Sequence, residues 1–463
     1  MAPPWVQELH LPHLTVPVTI DAMYPVMPSH PIPVQYGDTL YLSNLDDMIG
    51  ARVFTPTVYF YQQTTTNSCA NSQKPIVKTL QDALADVLVP YYPLSGRLRE
   101  TSNGKLEVFF GPSQGALMVQ AHSDVALSEL GDLTAPNPTW EPLIFKFPNE
   151  EPYKVLDMPL VIAQITIFRC GGFSLGLRLC HCICDGLGAM QFLGAWAATA
   201  KARTLVTNPR PIWDREVFKP RDPPHIQFPH MEFRKIQEGS NLTMSLWETK
   251  PLQKCYRITR EFQNLIKSLA MPRDGYGCTT FDAMAAHVWR SWVKSWVVSS
   301  HARQKLRNPP LKEGFYGNVV CVPCTTSKVS ELVNPERLSE TTRLVREARL
   351  SVSEEYLRST VDFVDLERPK QLEFGGKLTI TQWTRFSIYK CADFGWGRPL
   401  YAGPIDLTPT PQVCVFLPEG QDGSGGDSCS GGGSMIVCIC LPESAAHKFT
   451  QAFMLLDNSK FTH

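Results

Sequence analysis

The segment from residue 160 to residue 202 contains two strand-like runs, a short polar turn and a helix-like run, in that order. This order constrains the possible folds more than any other feature of the sequence. "LVIAQITIFRC" and "FSLGLRLC" have the apolar, β-branched composition of buried strands, and the turn Gly171–Gly172 joins them into a predicted hairpin. "GAMQFLGAWAATAKA" is then predicted as a helix, with Asp185 placed to cap its first turn. The order indicates a mixed α/β fold.

Strand-like and helix-like segments alternate along the rest of the chain. Helical spacing occurs in Ile76–Val89, in "TTFDAMAAHVWRSWV" and in "ERLSETTRLVREARLSVSEEYL". At 463 residues the chain exceeds what one hydrophobic core usually supports, and the proline-rich stretch from Asn208 onward has weak periodicity. We therefore predict an N-terminal domain over 1–207, a crossover linker over 208–235 and a C-terminal domain over 236–463, each with a mixed β-sheet flanked by helices.

The charge balance and the cysteine usage limit which cellular compartment and which partners are compatible with the sequence. The 44 basic and 44 acidic side chains cancel, which argues against nucleic acid or an anionic membrane as the main partner. No apolar run is long enough to span a bilayer, and the first residues lack the pattern of a signal peptide. Most of the 14 cysteines lie in apolar runs such as "MIVCIC", which favours buried free thiols. We expect a cytoplasmic protein.

The stretch "RLCHCICDGLGAM" (Arg178–Met190) concentrates residue types that carry chemistry. A zinc site is the first interpretation, because Cys180, His181, Cys182 and Cys184 are all possible ligands. Strand alternation would point the histidine away from the two cysteines beside it, and no turn brings the four together. The pattern therefore disfavours a metal site.

A serine nucleophile is the second interpretation. Gly172–Gly176 satisfies the G-x-S-x-G pattern of serine hydrolases, with Ser174 at its centre. That motif works when the serine lies on a sharp turn between a strand and a helix. Here "LGLRLC" follows and continues the strand, so a hairpin strand is the favoured interpretation and a hydrolase the rival.

A general base is the third interpretation. Imidazole as a side-chain group titrates near neutral pH, so a histidine such as His181 can accept a proton from a hydroxyl or an amine. Alternation places it at the end of an apolar row of strand residues, and Gly186 lies just beyond, where the chain can turn. A buried core histidine followed by a helix-capping aspartate explains the same residues, and the motif alone leaves both interpretations open.

A second motif, "CADFGWGRP" (Cys391–Pro399), lies far downstream. With "HCICDG" before it, the chain resembles the BAHD acyltransferase family. The resemblance extends over nearly the whole chain through "YLSNLD", "LVPYYPLSGRL", "HVWR", "GFYGN" and "ITQW". The H-x-x-x-D-G element alone is also found in chloramphenicol acetyltransferases and peptide-synthetase condensation domains, so the assignment depends on both motifs and their order.

The resemblance implies two domains similar to chloramphenicol acetyltransferase, with a channel between them that acyl-CoA and the acceptor enter from opposite faces. His181 would deprotonate the acceptor, which then attacks the thioester carbonyl and expels the CoA thiolate. Acyl-CoA is then a co-substrate, and no metal, cofactor or covalent acyl-enzyme is implied. In "ITQWTRF", Thr381 and Trp383 match family residues near the reacting carbonyl or acceptor. Asp393 of "DFGWG" is implied to be structural.

The run "HARQKLRNPPLK" contains the basic residues that we consider for the phosphates of CoA, namely Lys305, Arg307 and Lys312. Arg303 of the same run occupies the place of the family arginine that pairs with the motif aspartate. We therefore predict an ion pair between Asp185 and Arg303, in place of a triad-like bond from Asp185 to His181. The segment before this run is shorter than is usual in the family.

The acceptor is predicted from the short link "ERPKQLEFGGKLTITQW", which resembles members that act on long-chain or bulky alcohols. We expect transfer of an aromatic acyl group, hydroxycinnamoyl or benzoyl, to the hydroxyl of such an alcohol, by a monomeric enzyme. An amine acceptor, an acetyl donor and a non-catalytic binding role are the alternatives.

Overall fold

The structure is a computed structural model of the 463-residue chain. It describes residues 5–11, 15–62, 75–112, 114–151, 154–234, 251–271, 277–292, 295–298, 300–301, 303–334, 337–369, 377–407, 413–420 and 433–454.

The described strands, in chain order, are β1 Val6–Leu9, β2 Thr19–Val26, β3 Thr39–Tyr41, β4 Phe54–Tyr61, β5 Arg97–Glu100, β6 Leu106–Phe109, β7 Ala116–Ser123, β8 Val161–Phe168, β9 Phe173–Cys180, β10 Pro251–Ile258, β11 Ser295–Val298, β12 Ser300–His301, β13 Val320–Cys321, β14 Cys324–Thr325, β15 Lys377–Gln382, β16 Tyr401–Pro404, β17 Val413–Pro418 and β18 Met435–Pro442. The described α-helices are α1 Ile76–Val87, α2 Gly186–Ala202, α3 Arg260–Leu269, α4 Thr280–Trp292, α5 Val329–Leu332, α6 Leu338–Ser351, α7 Glu354–Glu367, α8 Ile388–Cys391 and α9 Glu443–Met454.

The first large sheet has six strands in the order β16-β4-β9-β8-β7-β2. Its β7–β8 pair is parallel and the other pairs are antiparallel, so the sheet is mixed as predicted. The predicted hairpin is confirmed, because β8 and β9 pair up to Ile167 opposite Phe173. The predicted helix after it is α2, and it packs against α1. All residues of β9 are buried, including Arg178, which pairs with Glu150.

The second large sheet has seven strands in the order β1-β10-β18-β17-β15-β11-β14. Here β15 pairs in parallel with both β17 and β11, and the remaining pairs are antiparallel. Helices α3, α4, α6 and α9 contribute buried residues to the core against this sheet. The predicted class of a mixed α/β protein with helix-flanked sheets is therefore confirmed.

Each large sheet receives one strand from the other half of the sequence. The N-terminal β1 pairs with β10 of the second sheet, and β16 pairs with β4 of the first. The boundaries at 207/208 and 235/236 stay predictions, and the second of them lies outside the described residues. The exchange means that neither sheet is completed by residues from one side of the boundaries alone.

Two of the predicted helices have different bounds in the structure. The predicted helix over "ERLSETTRLVREARLSVSEEYL" is two helices, α6 and α7, because the backbone of Val352 is extended and the Ser353 hydroxyl caps the second helix by accepting the N–H of Tyr356. The helix predicted over Ile76–Val89 ends at Val87. No helix within the described residues is long and apolar enough to cross a bilayer.

Candidate active site

His181 lies immediately after β9, at the start of the turn that leads into α2. Its backbone N–H donates to the carbonyl of Val53 at 2.9 Å, which ties the turn to the strand beside it. The ring is half-buried, and its Nδ1 has no hydrogen-bond partner among the described residues. A satisfied core histidine would have such a partner, so this geometry favours the base interpretation.

Asp185 bonds to Arg303, to the start of α2 and to the backbone of Val319. Its Oδ1 accepts a hydrogen bond from Arg303 Nη2 at 2.7 Å and caps α2 by accepting the N–H of Gly188 at 2.9 Å. Its Oδ2 accepts the N–H of Val319 at 3.2 Å. The side chain of Asp185 is 0% exposed and that of Arg303 is 17% exposed. The predicted ion pair is confirmed, and it forms despite the short segment that precedes Arg303.

A cavity of about 120 Å³ opens beside His181. Thr381 and Trp383, predicted near the reacting carbonyl, both line it, although the strand ends at Gln382 and Trp383 follows it. Helix α2 and strands β4, β9 and β15 supply most of the wall. The lining residues are Thr55, Thr57, Tyr59, Leu177, Leu179, His181, Cys184, Asp185, Gly186, Ala189, Met190, Leu193, Val320, Thr381, Trp383 and Phe386.

Strand β4 contributes three cavity residues that the sequence reasoning missed. Thr55, Thr57 and Tyr59 alternate along the strand and therefore share one face. The hydroxyl of Thr57 lies 3.3 Å from that of Tyr59, and burial raises the pKa of Tyr59, so the phenol stays neutral. The signal was the alternation of threonine and tyrosine in "TPTVY". This face adds polar groups to the cavity wall.

Cys184, which also lines the cavity, carries a thiol that is a candidate nucleophile. Burial, and then the neighbouring charge of Asp185, raises the pKa of its thiol well above the usual value, so it is protonated at neutral pH. Cys182 donates instead to the carbonyl of Ala51. Within the described residues, no group of three histidine, cysteine or acidic side chains is placed to hold a metal ion. His181 is the group in this turn suited to accept a proton.

Ser174 lies in the middle of β9, paired with Thr166 on one side and Phe60 on the other. It is 0% exposed and does not line the cavity. The G-x-S-x-G pattern is therefore part of a strand, as favoured above, and lacks the sharp turn that a nucleophilic serine needs.

We predict that Ser174→Ala leaves acyl transfer within about twofold of the wild type and does not lower stability. Its hydroxyl is buried with no hydrogen-bond partner among the described residues, so its removal relieves a desolvation cost. Thermal unfolding and steady-state rates test both parts. Labelling of Ser174 by a fluorophosphonate would contradict the prediction and revive the hydrolase alternative.

Two glycines let other elements approach the start of α2. An added Cβ on Gly186 would overlap the ring of Phe386, and one on Gly188 would overlap the carbonyl oxygen of Tyr316. Gly186, a predicted site residue, therefore brings the Phe386 ring into the cavity wall.

We predict that Gly188→Ala lowers stability by about 1–3 kcal/mol, the usual range for overpacking a core position. The carbonyl it would strike belongs to the backbone and cannot turn aside as a side chain can. Urea unfolding measures the loss, with Gly194→Ala in the same helix as the control, because its added Cβ meets only the side chain of Cys391 at 3.8 Å. Equal stability of both variants would contradict the prediction.

Asp393 does not line the cavity. It pairs with Lys201 of α2 at 2.6 Å and accepts the backbone N–H of Gly395 at 3.0 Å. Burial raises the pKa of this carboxyl, but the bond and charge of Lys201, together with the backbone N–H groups of Gly395 and Gly397, outweigh burial and hold the pKa below the usual value. The next residue, Phe394, is buried against the rings of Tyr61 and Trp196. These contacts fit the structural role implied for the motif.

The three lysine and arginine candidates for the CoA phosphates do not line the cavity. Lys305 and Arg307 are exposed, and Lys312 pairs with Asp214 at 2.8 Å while staying largely exposed. Their role toward CoA stays a prediction.

Known proteins similar to this chain cover almost its full length. A chain from Arabidopsis thaliana, omega-hydroxypalmitate O-feruloyl transferase, is 34% identical over 89% of this chain and 88% of its own length. The fatty alcohol:caffeoyl-CoA acyltransferase of the same plant is 32% identical over 88% and 92%, and an alcohol acyl transferase 1 of Malus domestica is 33% identical over 90% and 91%.

Solved structures share the fold. Vinorine synthase superposes with a TM-score of 0.66 over 93% of this chain and 96% of its own, at 19% identity. TRI101 of F. graminearum, solved with coenzyme A and T-2 mycotoxin, superposes with a TM-score of 0.68 over 89% and 97%, at 14% identity. The sequence profile of the Transferase family matches residues 16–456. The chain therefore belongs to the Transferase family, the BAHD acyltransferases.

Proposed function

We propose that this enzyme transfers an aromatic acyl group, hydroxycinnamoyl or benzoyl, from CoA to the hydroxyl of a long-chain or bulky alcohol. The observation that carries the proposal is the geometry around His181: a half-buried imidazole faces a cavity, while the nearby carboxylate is engaged by an arginine. The names of two relatives, a feruloyl transferase acting on omega-hydroxypalmitate and a caffeoyl-CoA transferase acting on fatty alcohols, support this choice of donor and acceptor.

The reaction follows from the residues in the cavity. The His181 imidazole accepts the proton of the acceptor hydroxyl while the oxygen attacks the thioester carbonyl. The Thr381 hydroxyl and the Trp383 indole N–H are the donors that we assign to the oxygen of the tetrahedral intermediate. Its collapse breaks the carbon–sulfur bond, and the CoA thiolate takes up the proton from the imidazolium. Holding the thioester and the acceptor hydroxyl next to each other beside His181 supplies much of the rate.

The residues that line the cavity support an aromatic donor or a long acceptor chain. Leu177, Leu179, Met190 and Leu193 give it apolar walls, while the paired hydroxyls of Thr57 and Tyr59 lie on the β4 face. A ring with a polar substituent can pack on such walls and still find a hydrogen-bond partner. We further propose that Lys305, Arg307 and Lys312 bind the CoA phosphates, and that no metal or resident cofactor takes part.

A panel assay tests the function. The purified protein is incubated with feruloyl-, caffeoyl-, benzoyl- or acetyl-CoA and with omega-hydroxypalmitate, hexadecanol, butanol or hexadecylamine. Free thiol and product mass are measured. We expect thiol release that needs both substrates and is fastest with an aromatic donor and a long-chain alcohol. Thiol release without an acceptor, or no release with any donor–acceptor pair, would contradict the proposal. A preference for hexadecylamine would indicate an amine acceptor, and a preference for acetyl-CoA would indicate an acetyl donor.

We also propose that the enzyme works as a monomer in the cytoplasm. The twelve cysteines in the described part of the chain are free thiols, and most of them are buried, as predicted, which supports a reducing compartment. Light scattering after size exclusion tests the oligomeric state.

A further inference from the structure

A second charged pair lies buried behind the His181 turn. Arg215 and Asp46 are both 0% exposed, and Arg215 Nε lies 3.0 Å from Asp46 Oδ2. Arg215 comes from the crossover segment and Asp46 from the segment before β4, so the pair joins regions about 170 residues apart. A fully buried pair of this kind needs further hydrogen bonds to offset its desolvation.

Those further bonds reach the turn itself. Arg215 Nη2 donates to the carbonyl of Ile183 at 2.6 Å. Asn318 Nδ2 donates to the carbonyl of His181 at 2.7 Å and to Asp46 Oδ1 at 2.9 Å, and its backbone N–H donates to the same oxygen at 3.0 Å. Two carbonyls of the turn are thus held by one connected cluster, defined as Asp46, Arg215 and Asn318.

The surroundings leave this cluster little freedom to move. The Arg215 guanidinium lies 3.9 Å from the centre of the Trp213 ring and donates to the Trp213 carbonyl at 2.8 Å. Gly317 passes so close that an added Cβ would lie 2.5 Å from the guanidinium carbon. On the other side, the Ser43 hydroxyl donates to Asp46 Oδ2 at 2.6 Å. Packing and hydrogen bonds therefore fix the donors that reach the turn.

We propose that Asp46, Arg215 and Asn318 are positioning residues for His181. They hold the first half of the turn through its carbonyls, whereas Asp185 and Arg303 hold the second half through the aspartate side chain. The proposal rests on the function proposed above, because it concerns the placement of the same base. It also gives the crossover segment a part in the active site. A displacement of about 1 Å at a reacting group can cost about 100-fold in rate.

Two substitutions test the proposal. Asn318→Ala removes the bond to the His181 carbonyl, and Arg215→Lys keeps a positive charge beside Asp46 while losing the planar fork that also reaches Ile183. For each we expect kcat per folded enzyme to fall by about 10- to 100-fold, while KM for both substrates changes less than about twofold. Hydrogen exchange of the peptide 178–190 should become faster in both variants.

Arg349→Lys is the matched control. Arg349 Nε lies 2.8 Å from Asp282 Oδ1, a carboxylate whose side chain is 0% exposed, and neither residue lines the cavity. The control should lower stability while kcat per folded enzyme and exchange of 178–190 stay at wild-type values.

Three outcomes are decisive. A selective fall of kcat with faster exchange supports the proposal. Variants that keep kcat per folded enzyme within about twofold of the wild type, with unchanged exchange, overturn it, since a purely structural cluster would affect only the folded fraction. Wild-type protein that transfers no acyl group refutes the proposed function, and faster exchange in the variants would then still support the held turn.

Discussion

Replacing His181 with alanine is expected to lower kcat for acyl transfer by about 10²- to 10⁴-fold, the usual contribution of a general base. The ring contributes little to folding, because it is only half-buried and its Nδ1 bonds to none of the described residues. The backbone bonds that hold the turn, from His181 N–H to the Val53 carbonyl and from Asn318 to the His181 carbonyl, survive the change. Thiol release with the best donor–acceptor pair measures kcat, and circular dichroism checks the fold.

His122→Ala is the control for this prediction. His122 of β7 pairs with Asp21 of β2, and its side chain is 47% exposed and does not line the cavity, so its removal should leave turnover unchanged. Near-wild-type turnover of His181→Ala would show that another group accepts the proton. His301, two positions before Arg303, would then be the next residue to substitute.

The local parts of the site could be predicted from the sequence. Apolar composition and Gly171–Gly172 gave the β8–β9 hairpin, and Asp185 marked the start of α2, because short-range patterns determine hairpins and caps. The contact from Asp185 to Arg303 spans 118 residues and came from the family resemblance, since no local pattern relates the two.

The parts of the site and of the fold that the sequence did not predict depend on tertiary contacts. Asp46, Arg215 and Asn318 lie in three segments without regular periodicity, and only the fold brings them together behind the turn. The proline-rich stretch around Arg215 indicated a linker, and nothing in its composition shows that one of its arginines is fully buried. The strand exchange was missed for the same reason, because β1 and β16 are short and pair far from their sequence neighbours.

Replacing either Asp185 or Arg303 with alanine is expected to lower the free energy of unfolding by about 3–5 kcal/mol and to abolish most activity. Arg303→Ala leaves a fully buried carboxylate without its cation and also removes donors to the carbonyls of Phe315 and Gly317. Asp185→Ala leaves Arg303 without its carboxylate and removes the cap of α2, along with the acceptor for the Val319 N–H.

The double variant tests whether the two side chains act as a pair. Because each single change already breaks the same ion pair, the double variant should lose less stability than the sum of the two single losses, by more than about 1 kcal/mol.

Urea unfolding measures the stability of the two single variants and the double variant, with Arg343→Ala as a surface control. Arg343 pairs with Glu340 and Glu347 on the exposed side of α6, and its loss should cost at most about 1 kcal/mol. Additive losses, or a fully stable Asp185→Ala, would show that the pair does not hold the turn. In that case the turn would be held by the contacts of Asn318 and Arg215 with its carbonyls and by the bond from the His181 N–H to the Val53 carbonyl.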